Sequence, residues 1–387
     1  MAAPQIGIDI TSALTQGGGI GRYTRELVRA LVDLDSQNSY TLFSARIPSE
    51  RLKNNQPLLD SLTSQSKITY RPAPLVEHWL YRLWYRLRLP VPVQLFSGRL
   101  DLFHSPDFVL PPISGDIPTL LTVHDLSFIH FPDTFPPVLV NYLNRVVPWS
   151  VSRAAHVLAD SNSTKMDLME QWAVPEDKIT VLYSGVNQDY QPVKDPLLLD
   201  KVKKIYDLGD APYLLSVGTI QPRKNYQMLI QAFASIAGSY PHNLFIAGGK
   251  GWLEDNMMAE AARQGIADRV RFLGFIADEH LSALYSAASL FLFPSLYEGF
   301  GLPVLEAMAC GVPAVISNSS SLPEVGGEAA LHLDPRQPEA WSEGMDRVLS
   351  DPGLAAAMVD AGFEQVQRFS WEKSAQELLD IYDSLFV

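Results

Sequence analysis

Short apolar runs alternate with longer amphipathic stretches along the chain, and this alternation restricts the fold more than any other feature. Ile6 to Ile10 is followed by a helical pattern from Tyr23 to Leu34, and Leu120 to Val123, His156 to Ala159 and Ile179 to Leu182 read as further strands. A polar, proline-bearing stretch from Gln188 to Asp210 interrupts the rhythm, which then restarts. Tyr213 to Val217, Asn243 to Ala247, Val270 to Leu273, Leu290 to Phe293 and Ala314 to Ile316 are compact apolar runs. Between them, Asn225–Ala237, Trp252–Gln264 and Asp278–Ala288 have helical patterns. Strands that alternate with helices in this way build parallel sheets covered by helices on both faces. The expected class is therefore α/β, with two Rossmann-like domains divided near residues 190–210. Ligands of such sheets sit beyond the carboxyl ends of the strands, so motifs just after strands carry the functional argument.

A chain of 387 residues that is 47 % hydrophobic is long enough for two cores. Its one cysteine, Cys310, excludes an internal disulfide and fits a reducing compartment. No basic flank precedes the first strand and no apolar run approaches the roughly 20 residues of a membrane span. The expectation is a soluble, cytoplasmic protein. A net charge of −13 and a pI near 5.0 argue against broad binding to nucleic acid. An anionic ligand then has to be held by a few local cations.

Four segments carry candidate chemistry. Gly17-Gly18-Gly19-Ile20-Gly21-Arg22-Tyr23-Thr24 lies between the first strand and the first helix, where glycines let backbone amides approach a phosphate at a positive helix end. A plain tight turn explains it too, and the third glycine of a dinucleotide fingerprint is missing. Ser216 to Asn225, which opens the second half directly after its first strand, contains Arg223 and Lys224. Such a pair is often no more than solvated surface charge; at a strand's carboxyl end it can clamp a departing diphosphate.

The sharpest signal runs from Leu290 to Pro313 and parses into strand, glycine loop and short helix, with Pro303 in the first turn and Gly311 past the end. Glu298 falls in the loop and Glu306 in the helix's opening turns. Dipole compensation accounts for Glu306 alone. It does not account for Glu298, or for the two glycines, Gly299 and Gly301, that bare the loop amides between the acids. Carboxylates accept hydrogen bonds from the hydroxyls that a nucleotide sugar offers on ribose and hexose. The fourth segment is Thr122-Val123-His124-Asp125, a histidine just past a buried strand, for which a structural and a functional role weigh equally. Asp33-Leu34-Asp35 sits at a helix end, and no histidine–carboxylate or cysteine cluster supports a metal site. Gly248-Gly249-Lys250 lacks the upstream glycine of a phosphate-binding loop.

With these motifs in order (GGIGRYT, TVHD, DSNST, VLYSGVN, SVGTIQPRKN, IAGG, FPSLYEGFGLPVLEAMACGVP), the chain resembles the family 4 glycosyltransferases of GT-B fold over nearly its whole length. It is most similar to the bacterial branch that builds polysaccharides and glycolipids. The resemblance implies two Rossmann-like domains facing across a cleft, residues 1–190 with a returning helix in 368–387 on the acceptor side and 191–367 on the donor side. It implies transfer of a hexose from GDP-mannose or UDP-glucose, with retention and without a metal or other cofactor, onto a saccharide or lipid-linked acceptor. By the same resemblance Arg223 and Lys224 hold the diphosphate, Glu298 the sugar hydroxyls and Glu306 the ribose. The amides of Gly299, Phe300, Gly301 and Leu302 meet sugar and phosphate, Gly19 and Gly21 approach the diphosphate from the other domain, and His124 lines the reaction centre. Many relatives carry arginine where this chain has Thr219, and Arg223 is expected to supply that charge. A nucleotide-sugar epimerase of the same fold and a non-catalytic sugar-nucleotide-binding subunit are the alternative readings.

Leu75 to Leu89 reads as a helix with Leu80, Leu83, Trp84 and Leu87 on one face and His78, Arg82 and Arg86 on another. A basic, aromatic helix in an acidic protein points to a membrane surface, here the inner face of the plasma membrane, or to a lipid-linked acceptor. An ordinary packed helix with a basic edge explains the pattern equally well.

Overall fold

Valine, isoleucine, leucine and phenylalanine crowd the short runs because strands buried on both faces have no solvent side. In the computed structural model, which describes residues 3–249 and 254–386, these runs form two parallel sheets. The first contains β1 (Gln5–Asp9), β2 (Ser39–Arg46), β3 (Ile68–Val76), β4 (Leu102–Ser105), β5 (Thr119–Val123), β6 (His156–Ala159) and β7 (Ile179–Val181) in the order β3-β2-β1-β4-β5-β6-β7. The second contains β8 (Tyr213–Val217), β9 (Asn243–Ala247), β10 (Val270–Gly274), β11 (Leu290–Phe293), β12 (Ala314–Ser317) and β13 (Ala330–Leu333) in the order β10-β9-β8-β11-β12-β13. Each sheet reverses its strand order once, between β1 and β4 in the first and between β8 and β11 in the second. Such a switch point leaves a crevice at the strands' carboxyl ends.

The chain divides into two compact units, one ending at Gly185 and resuming at Trp371, the other Val186–Ser370. The helix Trp371–Leu385 returns to the first unit because Trp371, Ala375, Leu378 and Tyr382 form one apolar stripe. That stripe packs on the helix Gly19–Leu34, and each fully buried large side chain there adds roughly 1.5–3 kcal/mol. The Tyr382 hydroxyl also meets His104 Nδ1 at 2.7 Å.

Three expectations need correction. The stretch expected as a linker contains a helix, Pro196–Ile205, started by Pro196 at its first position and by Asp195 accepting from the Leu197 amide at 2.9 Å. The helix expected from Leu75 begins only at Glu77, since Leu75 and Val76 complete β3. It then opens into a π turn at Arg82–Arg86, with the Leu87 amide bonded to the Arg82 carbonyl at 2.9 Å. The extra residue rotates the chain beyond it, so Leu87 leaves the apolar face and stands 63 % exposed. Trp84 is only 2 % exposed, packs beside Phe43 and Phe96, and donates to the Val91 carbonyl at 2.8 Å. It is a core residue and cannot anchor the protein to a membrane. The exposed indole is that of Trp79, with the Arg82 guanidinium 4.9 Å above it.

The helix expected to start at Trp252 is described from Glu254 to Arg263; Trp252 and Lys250 lie outside the described residues. Among the described residues, no helix is long and apolar enough to cross a membrane.

Candidate active site

In the second unit the switch point is furnished by the loops after β8 and β11. After β8 the chain makes a single 3₁₀ turn, Pro222–Lys224, and then Asn225 adopts a left-handed conformation at φ 59°. Asparagine tolerates that region better than most residues, and its side-chain amide donates to the carbonyls of Pro294 and Pro335 at 3.3 and 2.6 Å. The Leu296 amide bonds back to the Arg223 carbonyl at 2.9 Å. These bonds fix the turn against the β11 loop and aim both cations at one acid. Lys224 Nζ lies 2.7 Å from Glu298 Oε1, and an Arg223 guanidinium nitrogen lies 2.9 Å from Oε2. The guanidinium also donates to the Tyr297 carbonyl.

All three side chains are about nine-tenths buried. Burial by itself raises the Glu298 pKa, but the adjacent Arg223 and Lys224 charges outweigh it and hold the carboxyl at about 2. Two cations thus pack against the Glu298 carboxylate at a buried position. An isolated buried charge is costly, and an anionic ligand relieves that cost.

The loop that carries Glu298 is held from β12's far end. The Glu298 amide donates to Ser320 Oγ at 2.8 Å, and Ser321 Oγ meets the carbonyls of Glu298 and Phe300 at 2.9 and 2.6 Å. Gly301 sits at φ 125°, and a Cβ there would stand 2.8 Å from the Leu322 side chain, so only glycine fits. It opens the helix Leu302–Ala309, whose first turn presents amides without intrahelical partners beside Gly299 and Phe300. Glu306, in the second turn, is buried and accepts from the Tyr285 hydroxyl at 2.8 Å.

The first unit holds the other expected residues. His124 follows β5, with Nδ1 2.8 Å from Asp160 Oδ2 and Nε2 3.2 Å from the Pro106 carbonyl. Both ring nitrogens face acceptors, so the imidazole is held as a cation. Burial pushes its pKa down, but Asp160, and then Asp107, lift it to about 9. A doubly donating imidazolium cannot take up a proton. Of the glycines, Gly21 is explained by packing, since a Cβ would lie 2.0 Å from the Gln16 carbonyl oxygen. Gly19 is the first residue of its helix and faces open space.

The structure thus brings together Arg223, Lys224 and Glu298 with the Gly299–Leu302 loop, and sets Glu306 on the helix that this loop opens. Sequence reasoning gave no role to Ser320 or Ser321, nor to Asp160, the first residue of the DSNST motif. Asp160 directly follows β6, a position that should have been searched, and the serines follow β12. Among the described residues, no group of three or more His, Cys, Asp or Glu side chains is placed to hold a metal ion. Asp35, the second acid of the apparent metal motif, instead closes a turn by accepting from the Gln37 amide, the Asn38 side chain and the Tyr40 hydroxyl.

The model for "Glycosyltransferase Family 4" matches residues 17–190 and that for "Glycosyl transferases group 1" matches residues 200–365. The O-antigen chain mannosyltransferase B of Escherichia coli is 32 % identical over 376 residues, covering 95 % of this chain and 96 % of that one. Among solved structures, a glycosyltransferase from Rickettsia africae superposes with a TM-score of 0.75 at 18 % identity, covering 100 % of this chain and 99 % of that one. The Anabaena protein HepE, in complex with UDP and glucose, superposes at 0.72 with 18 % identity, covering 98 % of this chain and 100 % of that one. The structural likenesses bear out the paired Rossmann-like domains, and the sequence matches bear out the activity class. The chain belongs to the family 4 glycosyltransferases, hexosyltransferases of GT-B fold that use a nucleotide sugar.

Proposed function

We propose that the protein is a retaining mannosyltransferase that moves mannose from GDP-mannose to a saccharide or lipid-linked acceptor and needs no metal ion. The carrying observation is the buried Arg223–Glu298–Lys224 cluster at the switch point of the second sheet. Mannose is preferred to glucose because the relative that matches nearly end to end is a mannosyltransferase. In this reading the second unit holds the donor. Arg223 and Lys224 bind the diphosphate, Glu298 the sugar hydroxyls, Glu306 the ribose, and the amides of residues 299–302 the sugar and phosphate. Arg223 supplies the charge absent at Thr219.

As the bond between the anomeric carbon and the phosphate oxygen breaks, negative charge grows on the diphosphate, and two preplaced cations stabilise it without reorganisation. The acceptor oxygen bonds to the anomeric carbon on the face the diphosphate leaves, and its proton passes to the departing phosphate. No protein base is required, in keeping with His124 being already protonated. His124 lines the reaction centre as a fixed cation, and Gly19 presents its helix end to the diphosphate.

A melting-temperature panel with GDP, UDP and ADP tests the base, because a ligand bound only by the native state raises the melting point. GDP is expected to give the largest shift. Incubation with GDP-mannose, with and without acceptor, then tests the reaction: acceptor-dependent GDP release supports transfer, and mannose isomerised without acceptor would show an epimerase.

A second reading concerns location. Trp79, half exposed under Arg82, and the exposed Leu87 beside Arg86 form a basic, apolar edge in a chain of net charge −13. We propose that this edge makes peripheral contact with anionic lipid.

A further inference from the structure

Glu306 is the one charged side chain of an otherwise apolar helix, Leu302–Ala309, and its neighbours Leu305 and Ala307 are fully buried. A carboxylate taken out of water in such surroundings is costly unless hydrogen bonds replace its hydration. The Tyr285 hydroxyl provides one, donating to Oε2 at 2.8 Å.

Tyr285 is held more firmly than that one bond requires. Its helix, Asp278–Ser286, is tied to its surroundings by three further bonds. Ser282 Oγ donates to the Asp189 carbonyl at 2.8 Å, and Ser286 Oγ accepts from the Val193 amide at 3.0 Å. The hydroxyl of Tyr213, on β8, donates to the Leu284 carbonyl at 2.6 Å. The Tyr285 ring is itself buried, edge-on to Phe291 of β11 at 5.6 Å and to Tyr190 at 6.1 Å. A phenol has only two side-chain torsions, so a packed ring puts its hydroxyl oxygen at a fixed point. The last torsion of a glutamate is broad, and an untethered carboxylate turns readily. Satisfying Glu306 needs only a donor. A donor at a fixed point also orients it.

We propose that Tyr285 is a positioning residue for the donor: it fixes the rotation of the Glu306 carboxylate and thereby sets the preference for a ribonucleotide over one that lacks a ribose hydroxyl. This rests on the reading that Glu306 bonds the ribose, and it adds the residue that makes the bond selective. A site built to accept from a hydroxyl rejects the analogue without it, because a buried acceptor is then left unpaired. The penalty is large only while the acceptor stays where the hydroxyl arrives. A carboxylate free to turn finds another partner, and the penalty shrinks. Loss of the Tyr285 hydroxyl therefore lowers discrimination and leaves the affinity for a deoxynucleotide nearly as it was.

Calorimetry on the full chain tests this with GDP and UDP, each beside its 2′-deoxy and 3′-deoxy forms. For the base that binds better, the wild type is expected to favour the ribonucleotide over at least one deoxy form by about tenfold or more. Tyr285→Phe keeps the ring packing and is expected to narrow that ratio to about threefold or less, with the deoxy form bound within about threefold of wild type. Glu306→Leu is expected to abolish the ratio. Tyr285→Met, which lacks the hydroxyl and fills space flexibly, takes the place of Tyr285→Phe if that variant does not fold. A tyrosine that merely supports the fold would weaken ribo- and deoxynucleotides alike, and that result overturns the proposal. So does a ratio lost in Tyr285→Phe but kept in Glu306→Leu, since the tyrosine would then act without the glutamate. If the wild type discriminates and Glu306→Leu does not, yet Tyr285→Phe still does, the ribose reading stands and the proposal alone falls. A wild type that binds all forms alike ends both.

Discussion

Lys224 Nζ and Glu298 Oε1 lie 2.7 Å apart, both about nine-tenths buried, and neither is placed by its own loop alone. The loop after β8 is tied through Asn225 and the loop after β11 through Ser320 and Ser321, so each side chain is delivered by a backbone that other residues hold. Such preorganisation makes the pair useful against a charge that appears only during reaction.

Lys224→Met is expected to lower transfer at least tenfold, about 1.4 kcal/mol of barrier. Glu298→Ala removes a carboxylate paired with two buried cations and is expected to cost on the order of 3–5 kcal/mol of stability as well as activity. Glu298→Gln keeps the shape and should retain more stability than alanine while still losing transfer. The folded pKa of Glu298 itself, about 2, lies below the usual carboxyl value, so the contribution of the ionised glutamate is present above about pH 4.3 and fades only as pH falls towards 2. Chemical denaturation and initial rates check these outcomes; near-normal rates in both Lys224→Met and Glu298→Gln would contradict the assignment.

His124 runs the other way. Its folded pKa of about 9 stands above the unfolded value of about 6.5, so the stability it confers is complete below 6.5 and is lost as pH rises through 9. A nitrogen-15 titration of the imidazole is expected to show both nitrogens protonated at pH 7.5. Asp160→Asn should bring the midpoint down by removing the charge 2.8 Å from Nδ1. A neutral ring at pH 7 in the wild type would refute the imidazolium and reopen the question of a base.

Much of this was legible in the sequence because strand-flanking motifs are local. The run from Leu290 to Pro313 shows its strand, loop and helix directly, and each element forms where the pattern places it. What hid was whatever depends on residues distant in the chain. β3 was missed because Pro72 and Pro74 break its pattern, which an edge strand tolerates. β2 carries Ser39, Thr41 and Ser44 among its apolar residues and gives no clean run. The insertion at Arg82–Arg86 left no signal, and one extra residue per turn sufficed to misplace Leu87.

The edge containing Trp79, Arg82 and Arg86 is expected to sediment with vesicles containing phosphatidylserine, and less so in high salt. An Arg82→Ala/Arg86→Ala double variant should lose most of that binding, at roughly 1 kcal/mol per arginine near the surface. Trp84→Ala is a control of a different kind: as a core substitution it should cost about 3–5 kcal/mol of stability. Undiminished sedimentation of the double variant would remove the membrane reading.

Gly19 and Gly21 separate packing from binding at the first helix. A methyl group at Gly21 would enter the space of the Gln16 carbonyl oxygen, 2.0 Å away, and backbone cannot yield as a side-chain tip does. Gly21→Ala is therefore expected to destabilise the first unit by about 1–3 kcal/mol, as overpacking does. At Gly19 a methyl meets open space, and alanine is the better helix former, so melting should change by no more than about 0.5 kcal/mol either way. If the Gly19 amide nonetheless approaches the donor's diphosphate, Gly19→Ala will raise KM for the donor in a protein that is fully folded. A Gly19→Ala enzyme with unaltered kinetics would reduce the glycine run to a turn.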